Sequence, residues 1–295
     1  MIRMLAVASL LLLPLSALAE QPQCKFNAPR DLKLDLAGAK AVVFEVNQHD
    51  LVLTAGGGAA QLSGRACASN ADWLRQLTVT QQKVGDKLVV RLQREKQNLS
   101  INIGGSNYAY LDLRGSVPDT LLVQLKVGSG DVSVTGAHSL SADVGSGDIA
   151  LHDIKGAVTA AIGSGDVTLD GAGSLNLLSV GSGDFKARNL RGNAKVGTVG
   201  SGDLELDGVQ GNVTLETLGS GDADVRQVKG NVSIGNVGSG DVELRGVGGN
   251  VSVERHGSGD ITARDVSGDL TVAHSGSGDV NHSGIGGRVQ LPRGK

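Results

Sequence analysis

Aromatic side chains are scarce in this chain of 295 residues, at 2% of the total. Phe26, Phe44, Trp73, Tyr108, Tyr110 and Phe185 are all there are. Only Phe185 falls in the second half, which leaves that half without stacking platforms for sugars or bases. Cysteine is limited to Cys24 and Cys67, with no His beside them and no Cys-x-x-Cys spacing, so neither a thiolate metal site nor a redox motif is offered. Charge of one sign is lacking too. Thirty acidic residues against 27 basic ones give −3, with both signs interspersed. That balance makes no electrostatic case for nucleic acid or an anionic membrane as partner.

Long apolar runs are confined to the start. Residues 1–19 carry Arg3, an apolar run through Leu13, and small residues at Ala17 and Ala19 before Glu20. This pattern predicts a cleaved secretory signal, being shorter than the roughly 20 apolar residues of a membrane span. No later segment is apolar enough to span a bilayer, and no Cys directly follows the cut to take a lipid. The expected mature chain is soluble, periplasmic or secreted, with a net charge of −4 once Arg3 is lost. An even cysteine count in an oxidising compartment then predicts a Cys24–Cys67 disulfide. It would close a loop of 44 residues, counting both ends, and would contribute about 4 kcal/mol by chain entropy.

What the chain has in abundance is glycine, 45 residues of it, arranged with a period. Gly-Ser-Gly-Asp occurs nine times, ending at Asp131, Asp148, Asp166, Asp184, Asp203, Asp222, Asp241, Asp260 and Asp279. The spacings are 17, 18 and 18, then 19 five times. A fixed period of this length marks a solenoid of stacked coils. In the unit from Gly200 the apolar places are Leu204, Leu206, Val209, Val213, Leu215 and Leu218; in the next they are Ala223, Val225, Val228, Val232, Ile234 and Val237. Alternation by two within each pair predicts two short strands per coil with one face inward, and the remaining places mark inward corners. A helix would need apolar residues at intervals of three and four over more than ten residues, a pattern that is absent.

The predicted fold is therefore all-β, a single-chain parallel β-helix with coils of 17–19 residues, right-handed by the general rule for parallel crossovers. One coil cannot fold alone, because its few aliphatic side chains offset less than the ordering of its backbone costs; stacking completes the burial. Gly192, Gly211, Gly230 and Gly249 precede Asn193, Asn212, Asn231 and Asn250, with Gly268-Asp269 next in register. Here glycine is expected to supply a tight bend, and the Asn amides to donate and accept among themselves up the axis.

Residues 107–295 are assigned to regular coils and residues 20–106 to an all-β cap or degenerate coils. Asp31-Leu32-Lys33-Leu34 and Asp50-Leu51-Val52-Leu53 are again 19 apart, and Ala41, Val43 and Val46 occupy inward places. A short helix is expected near Asn70 to Gln76, a first coil without the full turn motif over Leu111 to Val127 with Pro118 in its bend, and a last coil finished by Val289 and Leu291 before a polar exit, Pro292 to Lys295.

Stacked carboxylates invite a metal hypothesis, with Asp203, Asp222 and Asp241 the first ligands to test for Ca²⁺. A calcium β-roll, however, uses Gly-Gly-x-Gly-x-Asp-x-aliphatic with acidic turns twice per coil. Here the Gly pair is missing and one such turn occurs per coil. The simpler reading is that each Asp accepts hydrogen bonds from turn N–H groups, its own or the next coil's. No cofactor is expected. Four residues after each Asp, Arg188, Asp207, Arg226, Arg245 and Arg264 form a broken basic stripe, expected to pair with Glu205, Asp224 and Glu243 on adjacent coils. His49, His138, His152, His256, His274 and His282 share no column, and uniform coils without long loops give catalysis little support.

Over Gly128 to Leu291 the repeated Gly-Ser-Gly-Asp-aliphatic-x-aliphatic motif resembles a bacterial family of exported β-strand-repeat proteins labelled putative adhesins, related to head-GIN domains. The resemblance implies a right-handed β-helix, no known activity and no catalytic residues to carry over. Unlike an anchored adhesin, this chain shows no C-terminal barrel, sorting motif or lipid-attachment Cys. The expected function is a non-enzymatic scaffold presenting an extended surface to a protein or glycan at the cell envelope. A Ca²⁺-binding β-roll relative is the alternative, and a polysaccharide-active enzyme a third.

Overall fold

The computed structural model describes residues 24–95 and 107–292. The signal sequence expected over residues 1–19 and the last three residues of the polar exit lie outside them. Everything described is strand and turn apart from one 3₁₀ helix, Ala71–Gln76, capped by the Asn70 side chain, which accepts from the Asp72 N–H. This is the short helix read from the sequence.

The fold is a β-solenoid of about nine turns with parallel stacked strands. Each regular coil contributes one strand to each of two 13-stranded sheets. In the coil from Gly200, the turn Gly-Ser-Gly-Asp leads into strand Leu204–Val209, a three-residue corner follows, and strand Val213–Leu218 closes the coil. Neighbouring coils stack in register: Leu204 lies between Phe185 and Ala223, and Leu206 between Ala187 and Val225. Within the 19-residue coils each strand position therefore forms a column on itself, whereas among the shorter coils the register shifts at Ala160/Ala161. All six predicted inward residues of this coil are at most 1% exposed, and those of the next at most 4%. The core is a single aliphatic stack, continuous from the cap to the last coils.

At the N-terminal end the chain order is not the stacking order. We number the first strands β1 (Phe26–Lys33), β2 (Ala41–Asn47), β3 (Asp50–Ala55), β4 (Gln61–Ala68), β5 (Leu77–Val84), β6 (Lys87–Arg94), β7 (Ala109–Val117) and β8 (Leu122–Val127). One sheet runs β1-β4-β7-β3 and then into strand Val132–Thr135; the other runs β5-β6-β2-β8. The coil β2–β3 thus belongs to the regular stack, with Leu51 opposite Val132 and Leu53 opposite Val134. Beyond it lie β6 and β7, then the antiparallel strands β4, β1 and β5 that end both sheets.

This arrangement differs from the sequence reading at Ala41 and Val43, which alternate with the core-facing Val42, Phe44 and Val46 instead of pointing inward themselves, and in two further places. Asp31–Leu34 does not stack on Asp50–Leu53: Leu32 pairs antiparallel with Leu62 in the outer cap strand. A spacing of one coil without the turn motif does not fix stacking when an antiparallel partner is available. The last difference concerns Leu111 to Val127. That segment is split, β7 lying on the cap side of the β2–β3 coil and β8 on the solenoid side, so the chain crosses that coil at the bend containing Pro118. Cys24 and Cys67 are joined in a disulfide with Cα atoms 5.5 Å apart, tying the first described residue to β4. At the other end Val289 pairs with Leu270, yet Val289 and Leu291 remain 39% exposed because no described coil covers them.

Candidate functional site

The most regular chemical feature is the turn. Stacked in register, its backbone N–H groups find partners one coil away: Gly145 donates to the Val127 carbonyl, Ser146 and Gly147 to that of Gly128, and Ile149 to that of Asp166 on the other side. One N–H is left over, that of the Asp. Asp148 N–H donates to Asp131 Oδ1 at 3.4 Å, and the link repeats up the axis to Asp279 N–H on Asp260 Oδ1 at 2.9 Å. The Asp side chain supplies the acceptor that parallel stacking withholds from its successor. Of the two possibilities read from the sequence, the next coil's N–H is the one used.

Glycine is needed here for proximity. A Cβ on the second glycine of each turn would lie 1.8–2.0 Å from a carbonyl oxygen of the coil before. None of these glycines has a positive φ. The same correction applies at the Asn corner: a Cβ on Gly211 would lie 2.3 Å from Asn193 Oδ1. The Asn column also works differently from an amide-to-amide ladder. Asn212 N–H donates to Asn193 Oδ1 at 2.8 Å, and Asn231, Asn250 and Asp269 continue the series. A backbone N–H is fixed in direction by its strand and outcompetes a free amide for the oxygen.

Two features of the columns lay outside the sequence reading. The Asp column begins one coil earlier, at Asp50, whose Oδ1 accepts from Asp131 N–H at 3.4 Å. Asn47-Gln48-His49-Asp50 occupies the turn register without a glycine, because no further turn of this kind lies beneath it. His49 takes the second-glycine place, fully buried, with Nδ1 accepting from Leu111 N–H at 3.3 Å and Nε2 without a partner among the described residues. Burial, aided by the Arg94 charge, lowers its pKa to about 4. The second feature is a left-handed residue five places after each Asp of the nine turns, alternating between glycine and Asp153, Asn189, Gln227 and Asp265. The alternation is written in the sequence and could have been read there.

Asp203, Asp222 and Asp241 stand in one column as expected, each with one oxygen taken by the next coil. Among the described residues no group of three or more His, Cys, Asp or Glu side chains is assembled to hold a metal ion. The basic stripe Arg188, Asp207, Arg226, Arg245 and Arg264 is likewise a true column. Arg264 pairs with Glu243 of the preceding coil at 2.8 Å and Arg188 with Asp170 at 2.9 Å, while Arg226 pairs with Asp224 of its own coil. Arg245 forms no ion pair among the described residues. Burial pushes the Asp224 carboxyl up, with Glu243 and Glu205 adding to the shift and Arg226 opposing it. Asp170 is held below the usual carboxylate range by hydrogen bonds from Asn189 and Arg188. The six histidines gather into no site; His256 fills an inward corner, its Nδ1 3.2 Å from Ser275 Oγ.

Comparison with known families follows the same coils. The family described as Toastrack DUF4097 matches residues 39–228. The chain belongs to this Toastrack family. Residues 193–283 also resemble the family described as putative auto-transporter adhesin, head GIN domain. Among solved structures, similar chains include a putative lipid binding protein from Parabacteroides distasonis ATCC 8503, with a TM-score of 0.49 and 17% identity over 87% of this chain and 96% of that one. A putative adhesin from the same organism has a TM-score of 0.45 and 14% identity, covering 90% and 97%. A putative adhesin from Parabacteroides merdae ATCC 43184 has a TM-score of 0.45 and 15% identity, covering 87% and 96%. No curated protein matches the chain. This Toastrack protein has, among its described residues, no helix long and apolar enough to cross a membrane.

Proposed function

We propose that this protein is an exported, non-catalytic scaffold of the cell envelope, periplasmic or secreted, which offers the outer faces of its two sheets to a protein or glycan partner. The observation that carries this reading is the uniformity of the stack. In the 19-residue coils, connections between strands are three or four residues long, so no long loops rise around a groove as a polysaccharide-active site would require. What supports a contact role is the presence of two in-register faces with mixed charge, together with the similarity of residues 193–283 to a family named for adhesion.

The test is binding of the labelled mature chain to purified envelope fractions, compared with a chain carrying Arg226→Ser, Arg245→Ser and Arg264→Ser. Saturable binding weakened by the triple substitution supports the reading. Absence of saturable binding, or breakdown of envelope polysaccharide by the pure chain, overturns it.

A further inference from the structure

The two ends of the stack are not protected alike. At the N-terminal end the sheets stop at β1 and β5, which run antiparallel to their neighbours. β1 contains Pro29 and charged side chains, and Arg30 reaches across to the Leu74 and Leu77 carbonyls. Proline, charge and a covering side chain are the devices that keep an edge strand from pairing with another chain. At the C-terminal end the sheets stop at strand Val280–Ile285 and at the two residues Val289–Gln290.

Strand Val280–Ile285 lacks those devices. In each coil from that of Gly181 to that of Gly257 the outward places of this sheet carry charge, as Glu243 and Arg245 do; in the last strand they are Asn281 and Ser283. Its backbone edge is open. In the coil below, Ile261 N–H donates to the Asp279 carbonyl at 2.9 Å, whereas the matching N–H of Val280, and by alternation that of His282, meets no strand among the described residues. Apolar surface is open there as well. Val289 and Leu291 are exposed, and Val280 and Ile285 are only partly buried although their columns are dry in the coils below.

The charges of this last coil complement themselves. Asp279 precedes the strand and Arg288 lies in the corner that follows it, at opposite ends of a run of roughly 20 Å. Among the described residues Asp279 is in no ion pair, and its Oδ1 lacks the N–H that each Asp below it receives from the next coil. Arg288 reaches Asp269 at 3.3 Å with its side chain 79% exposed. A two-fold axis across the strand reverses its direction, and so lays each end of one coil on the opposite end of the other. Antiparallel pairing of two such strands therefore brings Asp279 to the same end as Arg288 of the second copy, twice over.

We propose that the protein forms an end-to-end dimer in which the last coils of two copies pair antiparallel across this two-fold axis, closing the open end of both cores. A second copy supplies open N–H and carbonyl groups, an apolar core of the same cross-section and an opposite charge at each end; an unrelated strand need bring neither the core nor the charges. Head-to-tail growth is barred by the protected N-terminal end. With one coil from each copy in contact the interface is small, and its expected affinity is weak, on the order of micromolar. This inference goes beyond the contact surface proposed above and does not rest on it.

Sedimentation velocity and small-angle X-ray scattering of the mature chain, across a concentration series, read mass and length together. The expected result is a concentration-dependent dimer nearly twice as long as the monomer, with an unchanged cross-section. His282→Pro removes an open N–H and no bond within the chain, and is expected to raise the dissociation constant at least about tenfold. Asp279→Lys and Arg288→Glu each set like charges against one another and are expected to weaken dimerisation alone, while an equal mixture of the two restores both pairs and forms a heterodimer. A chain that stays monomeric throughout overturns the proposal. So does a dimer no longer than the monomer, which would be joined side by side, or growth beyond two copies. Charge variants that do not recover on mixing contradict the two-fold arrangement, and loss of folding in His282→Pro contradicts the open edge.

Discussion

Asp222 and Gly221 sit side by side in the repeated turn and are required for different reasons. Asp222 provides an oxygen to the Asp241 N–H at 2.8 Å. Asp222→Asn keeps that oxygen and is expected to change stability by less than about 0.5 kcal/mol, whereas Asp222→Ala removes it at a cost of about 1 kcal/mol. Gly221→Ala places a methyl group 1.9 Å from the Gly202 carbonyl oxygen, which the backbone must yield to, at a cost of about 3 kcal/mol or more. Urea midpoints that rank the three variants otherwise would show that the turn is held by something else. His49 makes a second prediction at this scale. Its folded pKa of about 4 lies below the ordinary 6.5, so the unfolded chain binds the proton first. Its contribution is constant above about pH 6.5, is lost progressively as pH falls towards 4, and amounts to ~3 kcal/mol in full. Following the His49 ring resonance with pH checks this, and protonation near pH 6.5 would contradict its burial.

At the scale of the strand, alternation by two sets which side chains are dry. Val232 is 1% exposed and its neighbour Ser233 faces solvent. Val232→Asp is expected to cost several kcal/mol, on the order of 3 or more, by placing an unpaired carboxylate in the aliphatic stack. Ser233→Asp should change little, and equal melting temperatures for the two would reverse the faces. The strands of the 19-residue coils were legible in the sequence because a constant period fixes both face and register. The cap was legible as β structure only. Nothing in Leu32 or Leu62 states that they pair antiparallel, and the crossing of the β2–β3 coil between β7 and β8 is decided by which edges remain open once the stack has formed. The place of Asp50 at the foot of the Asp column was hidden for a related reason: the turn motif is recognised by its glycines, and the first turn of a column needs none.

Across the whole molecule, each end of the stack is finished differently. Antiparallel strands close the N-terminal end, and the Cys24–Cys67 disulfide fastens the segment just ahead of β1 to β4 across 43 positions of sequence. Thiol labelling of the unfolded, unreduced mature chain is expected to find no free thiol, and two free thiols per chain would remove that fastening. Between the ends, stability is a sum of like coils and their interfaces, held by an aliphatic core and by two columns in which side-chain oxygens accept backbone N–H groups. In both columns a side-chain oxygen meets the backbone N–H that stacking leaves over, so the fold is expected to stand without a metal. Circular dichroism and thermal melting of the mature chain, in excess chelator and in millimolar Ca²⁺, test this most directly. The expected outcome is an unchanged β-sheet signal in chelator and a melting shift of no more than about 3 °C on adding Ca²⁺, under about 1 kcal/mol for a chain of this size. Loss of the β signal in chelator with recovery in Ca²⁺ would contradict it, and would make Asp203, Asp222 and Asp241 metal ligands.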